Sequence, residues 1–150
     1  MIDRRRVHEA ASDRGLAGDL AGALERLRAT RAAYEAAYYR FQLDTIGDPV
    51  GTAERATMDA ARDLERALEG SLDLAGRYRK DTRRRMRDSG ERSGRRMAAR
   101  WALMLQAYVD ILETCPEAID RIRATAPDII EALAGLEKAA REGASTLLIK

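Results

Sequence analysis

The sequence predicts an all-α fold, and three observations carry that prediction. The composition is 45% hydrophobic and 35% charged, with 5% aromatic residues and three prolines, the balance of long helices or coiled coils rather than of a β-sandwich or a disordered chain. Apolar residues recur at spacings of three and four along most of the chain, which is the helical period. Turn-forming residues gather in a few short stretches, chiefly IGDPVGT from Ile46 to Thr52 and DSGERSGRR from Asp88 to Arg96, and so divide the chain into long periodic segments. The expected architecture is a long antiparallel helical hairpin (about 14–45 and 50–88), a buried apolar helix (about 94–114) and two shorter C-terminal helices, coiled-coil or bundle-like in its packing. At 150 residues the chain is expected to form a single all-helical domain.

The first dozen residues (1–12) show no convincing period, and Asp3 with Arg4, Arg5 and Arg6 reads as a mobile, solvated arm. Asp13 is a plausible cap for the first long helix. Its apolar stripe is Leu16, Leu20, Leu24, Leu27, Tyr34, Tyr38 and Phe41, all on one helical face. After the turn, Thr57, Ala61, Leu64, Leu68, Ser71, Ala75, Tyr78 and Thr82 alternate spacings of four and three, a heptad-like seam. Counting outward from a turn near Asp48 sets Tyr34 near Leu64 and Leu20 near Tyr78. The small residues of the seam allow either close packing or only a weak seam.

The segment 88–96 is either a second turn or a weak point in one continuous helix. Beyond it, MAARWALMLQAYVDILETC is the most apolar stretch. Its expected buried face is Ala98, Trp101, Leu105, Tyr108, Leu112 and Cys115, widened by Met104 and Ile111, with Trp101 as core anchor. Thr114-Cys-Pro-Glu117 and Thr125-Ala-Pro-Asp128 read as capping signatures that start two further helices. The second of these is expected to stop near Gly143, leaving an apolar tail (144–150) with Leu147, Leu148 and Ile149 in a row.

The candidate chemistry is sparse. His8 is the single histidine and Cys115 the single cysteine, so no internal disulfide forms and a reducing, cytoplasmic compartment is expected. Without a second histidine no zinc-protease pattern can be built, and with His8 in the N-terminal arm no histidine is available to activate Cys115. Cys115 is expected to be a buried structural thiol. The glycines at 15, 18 and 22 match no phosphate-loop spacing, and acid pairs such as Asp59 with Asp63 read as solvated helix surface. No catalytic residue, cofactor site or metal site is therefore expected. The N-terminus lacks the apolar core of a signal peptide, and no run nears the roughly eighteen apolar residues of a membrane span. Tyr34, Tyr38 and Phe41 are expected in the core, with Tyr39 alone directed elsewhere.

What stands out is charge segregation. From Arg77 to Arg100 there are eleven Lys or Arg against three acids, a local charge of +8, whereas the rest of the chain has 16 against 22 and nets −6. On a helix, the seven basic residues from Arg77 to Arg87 spread over an arc of roughly 240°. Ala75, Tyr78, Thr82 and Met86 fill the remaining sector as an apolar docking stripe. The candidate site for an anionic partner is Arg77, Arg79, Lys80, Arg83, Arg84, Arg85, Arg87, Arg92, Arg95 and Arg96. Such a block suits nucleic acid, an acidic protein surface or anionic lipid, and is also what a merely solvated helix presents. The functional expectation is a non-enzymatic helical interaction protein that self-assembles or docks as a subunit of a larger assembly. The alternative is a nucleic-acid-binding protein that contacts phosphates through the same arginines.

Overall fold

The computed structural model of the protein describes residues 4–44, 51–89 and 94–149, and for residues 4–14, 44, 89 and 144–149 it describes the backbone alone. The protein is all-α. The elements are α1 (Arg4–Asp44), α2 (Thr52–Ser89), α3 (Gly94–Thr114), a 3-10 turn (Pro116–Ala118), α4 (Ile119–Thr125) and α5 (Pro127–Ile149). They form two compact units, Met1–Asp81 and Thr82–Lys150, whose boundary falls inside α2.

In the first unit, α1 and α2 pair as the expected antiparallel hairpin. Leu20, Ala23, Leu24 and Leu27 of α1 are buried, as are Leu64, Ala67, Leu68, Ser71, Ala75 and Tyr78 of α2. Two hydroxyls cross between the helices. Ser71 Oγ donates to the Ala23 carbonyl at 3.3 Å. Thr57 Oγ1 lies 3.2 Å from the Ala37 carbonyl and 2.8 Å from the Ala53 carbonyl one turn back in its own helix, so its single proton is shared. Both crossing pairs are centred on position 47, which sets Leu20 level with Leu74 and Tyr34 level with Ala60. The register thus differs by about one helical turn from the count made outward from Asp48. A side-chain hydroxyl reaches a backbone carbonyl only across a close helix pair, so the small seam residues serve close packing.

Several expectations change at the edges of this unit. The helix α1 begins at Arg4, within the segment read as a non-periodic arm, because Arg, Glu and Ala carry good intrinsic helix propensity even without an apolar period. Ala61 is exposed, and so is Tyr38 at 45%, so the stripe and the seam both peel away from the core toward the turn end. The turn at 45–50 lies outside the described residues. At its far edge Gly51 holds φ +69°, and its carbonyl accepts the first α2 bond from Arg55 N at 3.0 Å.

In the second unit, α3, the 3-10 turn, α4 and α5 pack around Met104, Leu105, Ala107, Tyr108, Ile111, Cys115, Ala118, Ile122, Ala126 and Ile129, all buried. Side chains of this class contribute about 1.5–3 kcal/mol each when an Ile, Leu or Met is fully withdrawn from water. The buried face of α3 is turned toward Met104 and Ile111 relative to the expected one. Trp101 and Leu112 sit at its margin, half-buried, and Ala98 is exposed. Trp101 is an edge anchor rather than a core residue.

Both prolines open new elements, as expected, but the threonines do not cap them. Thr114 Oγ1 donates back to the Asp110 carbonyl and Thr125 Oγ1 to the Arg121 carbonyl, each at 2.8 Å. A residue preceding proline is driven out of the helical region, and Cys115 (φ −133°) and Ala126 (φ −143°) take that position. Each threonine therefore still belongs to the preceding helix and bonds within it. At the C-terminus α5 continues through Gly143 to Ile149 because Gly143 keeps negative φ; the expected stop does not occur there.

Candidate functional site: the arginine-rich segment

The basic stretch is folded back on itself. Arg100 Nε donates to Thr82 Oγ1 at 2.6 Å, between two buried side chains eighteen residues apart. Along one continuous helix that separation would span about 27 Å, so α2 and α3 are two helices set side by side rather than one; the break expected within 88–96 falls on residues outside the described ones. Residues 90–93, with the candidate Arg92, lie outside the described ones. The Thr82–Arg100 contact sets the end of α2 alongside the start of α3, so that Arg87 and Arg95 come level near the break.

Arg100 itself is 3% exposed, and burial pushes its guanidinium below its ordinary pKa. It is a structural residue. Sequence reasoning counted it in the charge block without distinguishing it, and the available signal was its place one turn from Met104 on the apolar side of α3.

The remaining candidates divide by exposure. In the first unit, Arg77 and Lys80 are exposed and Arg79 is half-buried; Arg77 pairs with Asp73 one turn back at 3.1 Å. In the second, Arg83, Arg84, Arg87, Arg95 and Arg96 are exposed and Arg85 is half-buried. With Arg77 again at zero, the exposed cations of α2 fall within an arc of roughly 120°, centred opposite the buried stripe of Ser71, Ala75, Tyr78 and Thr82. The expected 240° fan is narrowed to half. Met86 leaves the stripe: it is 50% exposed.

Elsewhere, Arg31 stands over the Tyr34 ring at 6.0 Å, and Tyr34 stacks on Tyr38 with centroids 6.2 Å apart. Tyr38 and Tyr39 both face solvent, so the aromatic cluster contributes less to the core than expected. A shallow groove of about 330 Å³ runs along the hairpin, lined by Ala23, Ala67, Gly70 and Leu74, with Arg26, Arg66 and Asp63 at its rim. Cys115 is buried, as expected. Among the described residues no three His, Cys, Asp or Glu side chains converge, and no helix is long and apolar enough to cross a membrane. No protein-family model, curated protein or solved structure matches this chain.

Proposed function

We propose that this protein is a helical interaction protein that docks onto an anionic macromolecular surface, as part of an assembly, through Arg83, Arg84, Arg87, Arg95 and Arg96. The observation that carries the reading is the division of labour where α2 and α3 pair. Thr82 and Arg100 hold the two helices together from the inside, while Arg83, Arg84, Arg87, Arg95 and Arg96 are left on the outside. Cations held on paired helices lose less freedom on binding than cations on a loop. Arginine suits this role, since its planar fork pairs with carboxylate or phosphate in two-point geometry.

The test is a triple variant, Arg83→Glu, Arg84→Glu and Arg87→Glu, compared with the wild type on immobilised poly-glutamate and on duplex and single-stranded DNA across a salt series. The reading expects wild-type retention on poly-glutamate that weakens with salt and is lost in the folded variant. Tight DNA binding whose salt slope falls by roughly one per lost phosphate contact would move the assignment to nucleic acid. A folded variant that binds every probe like the wild type would overturn the reading.

A further inference from the structure

The shallow groove on the hairpin lies wholly within the first unit, and it is bare for a local reason. Its floor is Ala23, Ala67 and Gly70, and a Cβ placed on Gly70 would meet no atom within 4 Å. The other side of the same helix pair carries Arg31, Glu65 and Leu72, each half-buried, so longer side chains lie along the crevice there. From Asp63 to Leu74 the groove follows α2 for about 16 Å, or roughly three helical turns. Its charges sit at one level. Arg26 stands on the α1 rim and Arg66 on the α2 rim, and the register about position 47 brings them within about 3 Å of one another along the helix axes. Both are exposed, and neither forms an ion pair among the described residues. Asp63, the acid of the lining, lies one turn from Arg66; at the opposite end the groove is lined by Ala23, Gly70 and Leu74.

We infer that this groove receives an amphipathic α-helix of a partner protein, one with bulky aliphatic side chains along its apolar stripe and an acidic residue on each flank. The inference goes beyond the arginine surface of the second unit and does not depend on it. Shape decides against other occupants. Backbone groups in the interior of α1 and α2 bond within their own helices, so an extended peptide would find no backbone partners there, whereas a helix brings its own. A small molecule is held by enclosing most of its surface, and a groove this shallow does not enclose one. A floor of Ala and Gly, by contrast, lets a third helix approach to the close end of helix packing, about 8 Å between axes. Charge decides the flanks. Arg26 and Arg66 outweigh Asp63, so acids level with the arginines pair with one on each rim, and a base one turn farther on meets Asp63.

The probe is a fluorescein-labelled synthetic peptide with Leu at helical spacings of three and four and Glu on both flanks, read by fluorescence anisotropy on the full-length protein. A second peptide has Lys for each Glu, and a third has Pro at its centre. The Glu peptide is expected to bind, the Lys peptide to bind at least about fivefold more weakly, and the Pro peptide not to bind measurably, since its helix is broken. Gly70→Leu fills the floor where a Cβ has room. It is expected to keep the helical circular dichroism of wild type and to weaken the Glu peptide at least about tenfold. Arg26→Glu with Arg66→Glu is expected to reverse the preference between the Glu and Lys peptides. The variant with Arg83→Glu, Arg84→Glu and Arg87→Glu is expected to bind the Glu peptide like wild type, so that failure at the second-unit arginines and failure at the groove are read apart. A wild type that does not bind the Glu peptide, or binds the Glu and Lys peptides equally, overturns the inference. So does undiminished binding by a folded Gly70→Leu, or, if that variant misfolds, an unchanged preference in the double arginine variant. A wild-type dimer in sedimentation equilibrium that Gly70→Leu converts to monomer would give the groove to a second copy and overturn the partner assignment.

Discussion

Arg100 Nε donates to Thr82 Oγ1 at 2.6 Å inside the second unit, with Thr82 fully buried and Arg100 nearly so. The bond joins the last buried position of the α2 seam to the first buried residue of α3. It also removes one arginine from the surface inventory. A buried cation is tolerated where its protons find acceptors, and the Thr82 hydroxyl is one of them.

Arg100→Ala is expected to destabilise the second unit by about 2–4 kcal/mol, since it removes a buried, hydrogen-bonded side chain and strips Thr82 of a donor. Arg100→Met should cost clearly less. Burial lowers the Arg100 pKa, so the charged form is a cost to the fold, fully present below the lowered value and fading as pH rises from there to the ordinary one. Met fills similar space without that cost. Urea denaturation of the two variants checks the order; equal losses would contradict the account.

At the hairpin seam, Ser71→Ala should cost about 1 kcal/mol, the usual worth of one hydrogen bond. The Ala23 carbonyl that Ser71 meets keeps its own helical partner and is not orphaned. Ala23→Leu, by contrast, inserts bulk where the two helices approach closely and should cost about 1–3 kcal/mol or more. Thermal melts of both variants separate close packing from a weak seam, which would accept the leucine.

Gly51→Ala should cost about 1–2 kcal/mol, because φ +69° places a Cβ in the left-handed region. An added Cβ meets nothing closer than Glu54 Oε2 at 3.8 Å, so the loss is conformational rather than steric. Gly51→Asn, which tolerates that region better, should recover part of it.

Trp101→Ala should cost less than the about 3–5 kcal/mol of a fully buried Trp, and Ile111→Ala should fall in the 2–5 kcal/mol range of a sealed core position. Trp101 is half-buried and Ile111 sealed. Acrylamide should quench Trp101 fluorescence substantially in the folded protein. A fully shielded Trp would return it to the core.

Much of the fold was legible because its cause is local. The spacing of Leu20, Leu24, Leu27, Leu64 and Leu68, and the prolines at 116 and 127, act through helix periodicity and missing N–H groups. The α3 bounds, 94–114, match the structure for the same reason. The threonines bond backward rather than cap, because Thr before X-Pro has two competing bonds, forward to a new helix or back to its own, and the sequence does not choose between them. Gly143 is no stop because glycine weakens a helix without forbidding it. At the candidate site the ten basic residues were legible as a block, but their exposure was not.

By sequence alone, then, this chain is committed to long helices, to a hairpin, and to one basic stretch set against acidic surroundings, since composition and period are properties of the chain itself. Tertiary structure decided the register at position 47, the pairing of α2 with α3, the turning of the α3 face away from Trp101, and the separation of buried Arg100 from exposed Arg83, Arg84, Arg87, Arg95 and Arg96. The physical reason is that each of these depends on which partner a side chain meets. A hydroxyl finds a carbonyl 48 residues away at Ser71 and Ala23, and a guanidinium finds a hydroxyl 18 residues away at Arg100 and Thr82; no local period encodes either distance.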